Sequence, residues 1–226
     1  MKQPVFHRIF DYDKRLLPNS YLASLENNVT NIDDARTKTG MTIGYPGWSV
    51  IYSILLSHLD RSRTELILET GTNWGCTTII LAQALRDAKC EGKVVTIELE
   101  DENVAIAKDN IQKAGLSDLV QIETGDSRKI LPHLDLIPKS IRVAFLDASH
   151  LYDDVLFEFE TLLPKLTDDA LVFMDNTYLI AEEHEDQRVN GALATIKARH
   201  GGNLLNFEYV SWFTPGLALW QKTPAL

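Results

Sequence analysis

The sequence predicts an α/β protein built on a doubly wound, mostly parallel sheet that ends in an antiparallel hairpin. Three observations carry that expectation. Short apolar runs alternate with helix-periodic segments from residue 65 to residue 175, the pattern of repeated βα units with right-handed crossovers. The runs are continuously apolar, as strands are when helices cover both faces. Near the C-terminus two further apolar runs, 204–212 and 217–221, flank Thr214-Pro215-Gly216. Strands joined by so short a turn must pair antiparallel. Five parallel strands and this hairpin make a seven-stranded sheet.

Taken in order, residues 1–43 are polar and irregular. Asn27-Asn28 and Asp33-Asp34 interrupt any period, and the segment reads as a lid or as the arm of a homodimer. The main domain covers 44–226. Its first signal is the turn cluster Gly44-Tyr45-Pro46-Gly47-Trp48-Ser49, followed by a helix-periodic stretch through Val50, Ile51, Ile54, Leu55 and Leu59. Strands are expected at 65–69, 93–98, 119–124, 142–147 and 170–175. Helices are expected at 76–89, 101–114, 126–135, 151–164 and about 186–200. Val104, Ala107, Ile111 and Ala114 mark the buried face of one helix, and Val155, Leu156, Phe159, Leu162 and Leu163 that of another.

Composition narrows the function. The chain has 226 residues, 45% hydrophobic and 24% charged, with a net charge of −10. That length fits one domain with a sizeable core. No Lys/Arg-rich run is present, which argues against nucleic acid and anionic membrane as partners. Cys76 and Cys90 have no metal-ligand spacing and are too far apart on one helix to bridge. A reduced, cytoplasmic protein is expected. The N-terminus lacks the apolar stretch of a signal peptide, and no run approaches transmembrane length.

The most informative segment is Ile67-Leu68-Glu69-Thr70-Gly71-Thr72-Asn73-Trp74-Gly75-Cys76-Thr77-Thr78. An apolar strand ends in an acid, glycines follow two and six residues later, and a helix begins. Such a turn lets backbone approach a ligand closely. It is neither the G-x-G-x-x-G of dinucleotide sites nor a P-loop. An acid at the strand tip suits a ligand with a cationic amine. A purely structural turn is the alternative.

Ligands of open α/β sheets bind at the carboxyl ends of the strands. Here four of the five strands end in an acid (Glu69, Glu98, Asp147, Asp175), and Asp126-Ser127 follows the remaining one. Capping of the next helix accounts for a single such acid, Asp126 above all, but not for five on one rim. Glu98 is placed to accept from both hydroxyls of a ribose, and Asp126-Ser127 to receive an adenine amino group. Asp147, Asp175 and Asn176 are hard oxygen donors suited to Mg²⁺, Mn²⁺ or Ca²⁺, although Asp175-Asn176 also reads as a plain turn. His150, three residues past Asp147, is a candidate proton acceptor. His184 competes with it from the acidic run 182–186, which reads better as a solvated loop. Tyr45, Trp48, Tyr152, Tyr178, Trp212 and Phe213 flank the rim as candidate walls of an acceptor pocket or as core.

The E-x-G-x-x-x-G turn, TIELEDENVAIAKDNIQKAGL, ETGDS, FLDASH and FMDN together resemble class I S-adenosylmethionine-dependent O-methyltransferases, over about residues 44–222. The Asp147/Asp175-Asn176 set is similar to that of the metal-dependent catechol O-methyltransferase group. Asp-x-x-His at 147–150 instead resembles the macrolide and aminocoumarin sugar O-methyltransferases and a related cephalosporin-tailoring branch. The resemblance implies a Rossmann-like domain with S-adenosylmethionine and a divalent metal, Mg²⁺ by family pattern, as cofactors. It implies that Glu69, Gly71, Thr72, Asn73 and Gly75 cradle the methionine part, with Asp147 nearby. Glu98 would hold the ribose, and Asp126 and Ser127 would face the adenine. Asp147, Asp175 and Asn176 would bind the metal, and His150 would act as base toward a small hydroxylated acceptor. The rival readings are a non-catalytic adenosyl-ligand sensor, a tailoring accessory protein and a nicotinamide oxidoreductase.

Overall fold

The structure is a computed structural model that describes residues 13–40, 43–136, 139–177, 186–207 and 216–223. Its sheet has seven strands: β1 (Glu65–Thr70), β2 (Gly92–Glu98), β3 (Val120–Thr124), β4 (Ile141–Leu146), β5 (Leu166–Asp175), β6 (Asn203–Asn206) and β7 (Leu217–Gln221). Their order is β3-β2-β1-β4-β5-β7-β6. The first five run parallel, and β7 is antiparallel to both β5 and β6. The doubly wound fold with its antiparallel end is the one the sequence predicts. The residues joining β6 to β7 at 208–215 lie outside the described part.

Eight helices flank the sheet among the described residues: α1 (Ser20–Glu26), α2 (Ile32–Thr39), α3 (Gly47–His58), α4 (Cys76–Ala88), α5 (Asp101–Lys113), α6 (Ser127–Ile130), α7 (Tyr152–Leu162) and α8 (Arg188–His200). Side chains alternate across a strand, so Ile67 and Val94 point to one face and Leu68 and Val95 to the other. The first face is covered by Trp48, Ile51, Ile79, Ala107 and Ile111. The second is covered by Val155, Phe159, Leu162, Leu193 and Ile196. Among the described residues no helix is long and apolar enough to cross a membrane.

Two helices are shorter than the apolar period predicts. The 126–135 segment forms only α6, then a 3₁₀ turn at Leu131–His133. α7 likewise gives way to a 3₁₀ turn at Leu163–Lys165. Pro132 and Pro164 sit in those turns, where a missing N–H stops an α-helical ladder. β5 starts at Leu166, earlier than expected, because Thr167-Asp168-Asp169 does not read as an apolar strand.

The N-terminal stretch requires a correction, since residues 20–39 are largely helical. Asn19 caps α1 by accepting from the backbone of Tyr21 and Leu22, and Asn31 caps α2 by accepting from Asp34. Asp33-Asp34, which interrupt the apolar period of the sequence, occupy the first turn of α2, where acids are favourable. Leu22 and Ala23 are buried in the same cluster as Trp48 and Ile79. The Asn19 side chain also donates to Gln83 and to the Ala114 carbonyl.

Candidate active site

A cavity of about 840 Å³ opens at the carboxyl ends of the parallel strands. Its walls come from the turn after β1 (Gly71 to Trp74), the end of β2 (Glu98 to Glu100), the start of α6 (Asp126, Ser127, Arg128), the loop after β4 (Asp147 to His150), and Asn176. Thr39 and Gly40, at the end of α2, close one side.

Backbone contacts explain the shape of the β1–α4 turn. Gly71 has φ +84°, and a Cβ there would lie 2.2 Å from the Asp147 carbonyl oxygen. Only glycine allows β1 and β4 to approach this closely at their tips. The Gly71 N–H donates to the Ile97 carbonyl at 2.9 Å, and the Asp147 N–H donates to the Thr70 carbonyl at 3.0 Å. Gly75, at φ +78°, is the N-cap of α4.

Glu69 and Gly75 do not line the cavity. Glu69 is fully buried, beneath the turn, and accepts from the Thr78 and Thr96 hydroxyls at 2.5 and 2.6 Å. Burial pushes its carboxyl up to about 8, against the pull of those two bonds. In this geometry it ties α4 and β2 to β1 from behind the wall. Thr72 lies between, with its hydroxyl 2.6 Å from that of Thr96.

Glu98 does reach the cavity. Its carboxylate accepts from the Asn73 N–H at 2.6 Å, the Glu100 N–H at 3.0 Å and the Asn103 amide at 3.3 Å. It therefore both fixes the glycine turn and presents an acid to a ligand. Asp126 caps α6 by accepting from the Arg128 N–H at 3.0 Å while lining the cavity. The Ser127 hydroxyl donates to Glu158 at 2.5 Å. Glu158, on α7, also accepts from Thr70 at 2.8 Å and is buried. Burial raises its carboxyl above the usual range, and the two hydroxyls oppose that rise. Sequence reasoning missed this residue, although an acid among Val155, Phe159 and Leu162 is a legible signal.

At the β4–β5 side, Asp147, His150 and Asp175 offer ligand atoms that all lie within 4.8 Å of one another. His150 Nε2 is 3.2 Å from Asp147 Oδ1. The Asn176 amide nitrogen is 2.9 and 3.0 Å from the two nitrogens of the same ring. Asn176 has φ +58°, a left-handed conformation that asparagine tolerates better than most residues. Burial pushes the Asp147 carboxyl up to about 8; the Glu158 charge adds to this, and a hydrogen bond with Asp175 opposes it. Burial also holds the His150 ring below its ordinary value, partly offset by Asp175, so the neutral imidazole is favoured. Two carboxylates and an imidazole at this spacing fit a divalent cation, whose charge would return Asp147 to its ionised form. Asn176, the third ligand expected from the sequence, adjoins this group through its contact with the His150 ring.

Of the six aromatic candidates for pocket wall or core, the three that are described do not line this cavity. Trp48 is fully buried with its indole N–H on Thr77 at 3.4 Å. Tyr45 is buried in the same core. The Tyr152 hydroxyl bonds Thr195 at 2.8 Å. Tyr178, Trp212, Phe213 and His184 lie outside the described residues.

Residues 68–177 match the family model described as a methyltransferase domain, and this segment holds the end of β1 and all of β2 to β5, with their rim. Over part of its length the chain is also similar to catechol O-methyltransferases. The catechol O-methyltransferase of Niastella koreensis is 41% identical over 80 residues, 35% of this chain and 34% of that protein. The Sus scrofa catechol O-methyltransferase is 32% identical over 114 residues, 48% of this chain and 60% of that protein. The matches thus span about a third to three fifths of these relatives. Among solved structures, the O-methyltransferase TomG from Streptomyces achromogenes, in complex with S-adenosylmethionine, aligns with TM-score 0.72 at 24% identity, over 91% of this chain and 90% of that one. The Bacillus cereus O-methyltransferase in complex with S-adenosylhomocysteine aligns with TM-score 0.73 at 21% identity, over 92% and 93%. These structural likenesses show that the chain shares the fold of those proteins.

Proposed function

We propose that the protein transfers the methyl group of S-adenosylmethionine to a hydroxyl of a small-molecule acceptor. One observation carries the reading. A single cavity has Glu98 and the Gly71–Trp74 turn in one part of its wall and the Asp147–His150 cluster in another. In this reading Glu98 accepts from the ribose hydroxyls, Gly71, Thr72 and Asn73 approach the methionine part, and Asp126 and Ser127 meet the base. Glu69 and Gly75 support that wall from behind. The acceptor oxygen attacks the methyl carbon in line with the departing sulfur. The O–C bond forms, the S–C bond breaks with its electron pair on sulfur, and the hydroxyl proton passes to the neutral His150 ring. A divalent cation held by Asp147 and Asp175, with Asn176 completing the set, would lower the pKa of the acceptor hydroxyl. The position of His150 within ligand distance of both carboxylates favours a second reading, in which His150 is itself a ligand. Two free, buried cysteines accord with a cytoplasmic setting.

The test is transfer of isotope-labelled methyl from S-adenosylmethionine to catechols and sugars with adjacent hydroxyls, with Mg²⁺ present. Excess chelator is expected to abolish turnover and leave S-adenosylhomocysteine affinity unchanged. Full activity in chelator would reject the metal. Oxygen incorporation in place of methyl transfer would favour an accessory role in oxidative tailoring.

A further inference from the structure

We infer that Glu158 sets the hydrogen-bonding polarity of Ser127, so that this end of the cavity selects a ligand amino group over a carbonyl. The inference rests on the reading that the cavity holds an adenosyl ligand. It assigns a positioning role to a residue that does not itself line the cavity.

Glu158 is only 1% exposed, on a helix face otherwise made of Val155, Phe159 and Leu162. A carboxyl in such a place is costly unless both oxygens are engaged. Both are: Oε2 accepts from Thr70 at 2.8 Å and Oε1 from Ser127 at 2.5 Å. The second distance is that of a hydroxyl donating to a carboxylate. A serine hydroxyl has one proton and two lone pairs. With the proton donated to Glu158, Ser127 presents only lone pairs to the cavity it lines.

The neighbouring groups reinforce that polarity. The Asp126 carboxylate is another acceptor, and the adjacent Arg128 N–H already donates to it. The Gly125 N–H is taken by the Glu98 carbonyl at 2.7 Å. Arg128 also lines the cavity, but its guanidinium is engaged by Asp154 at 2.5 Å and lies 4.7 Å from the centre of the Phe157 ring. Acceptors therefore dominate here, and a ligand N–H is matched to them. A carbonyl in the same place sets lone pair against lone pair. Strand order places this end beyond Glu98 from the glycine turn, where a nucleoside base follows its ribose. The discriminated pair is a 6-aminopurine against a 6-oxopurine.

Calorimetry of S-adenosylhomocysteine against its deaminated analogue S-inosylhomocysteine tests this. The parent protein is expected to prefer the amino compound by about tenfold or more, the scale of a mismatched buried polar group. Glu158→Leu frees the Ser127 proton to turn toward the ligand, and the preference should fall by at least about threefold, with the Asp126 carboxylate keeping the remainder. Ser127→Ala should do the same and decides the matter if Glu158→Leu does not fold. Thr70→Val removes only the other bond to Glu158 and should keep the parent preference. A preference unchanged in Glu158→Leu and Ser127→Ala, even with weaker overall binding, would overturn the inference, as would no preference in the parent. Failure of the parent to bind either compound would instead bring down the cofactor reading on which the inference rests.

Discussion

Replacing His150 with alanine separates its two candidate roles. The ring is about one-third exposed, with Nε2 3.2 Å from Asp147 Oδ1, so it faces both the cavity and the carboxylate pair. A positioned general base contributes roughly 10²–10⁴-fold to rate, or about 2.7–5.5 kcal/mol of barrier. As a base, His150→Ala should lower kcat by that factor and leave the Mg²⁺ concentration for half-activity and the S-adenosylhomocysteine affinity nearly unchanged. As a ligand, it should raise the Mg²⁺ requirement by tenfold or more. The pH profile gives a second readout. Burial lowers the ring's pKa, and the neutral form is the reactive one. The parent's rate should therefore be full at pH 7 and fall as pH drops, with a midpoint below the ordinary histidine value of about 6.5. The same lowered pKa means that stability too is lost as pH falls below that value, so unfolding must be followed in parallel. A variant that keeps more than about a tenth of the parent rate would refute the base assignment.

Two further predictions concern the scaffold. Gly71→Ala places a methyl 2.2 Å from the Asp147 carbonyl oxygen at φ +84°; it should cost at least about 2 kcal/mol in urea denaturation and weaken S-adenosylhomocysteine binding. An unchanged midpoint and affinity would show that the turn is less constrained than its geometry implies. At the opposite end of the sheet, His58 accepts from Arg142 Nε at 3.1 Å, and burial, with the Arg142 charge, lowers its pKa to about 4. The unfolded chain therefore binds the proton first, and His58 should remove on the order of 2–3 kcal/mol of stability as pH falls from about 6.5 to 4. Glu69 and Asp147, both raised to about 8, act in the opposite sense across this window. The His58 contribution is therefore read as the difference between the parent and His58→Gln, and identical pH profiles for the two would contradict it.

The sheet was legible because its strands are continuous apolar runs, and the rim was legible because acids end those runs. The strand signal does not say which side of a tip an acid takes. Glu98 faces the cavity, whereas Glu69 turns under the glycine loop to Thr78 and Thr96. The helices α1 and α2 escaped notice because seven and eight residues are too few to establish a period. Their asparagine caps were the usable signal. Trp48 and Tyr45 read equally well as pocket wall or core, and only packing decides between them. Glu158 was legible as an acid on an apolar helix face, but its role was not, because its partners, Thr70 and Ser127, are 88 and 31 residues away. The β1–α4 turn required glycine at 71 for a reason that sequence alone cannot show, since the obstructing carbonyl belongs to Asp147, just past the end of another strand.

The central claim, that this cavity is an S-adenosylmethionine site, is tested most directly by calorimetric titration with S-adenosylhomocysteine and, separately, with NAD. The parent should bind S-adenosylhomocysteine at one site per chain and show no heat with NAD. Glu98→Ala should weaken the binding by about 1.5–3 kcal/mol, the scale of hydrogen bonds to a charged group. Binding of NAD without S-adenosylhomocysteine, or an affinity indifferent to Glu98, would contradict the claim.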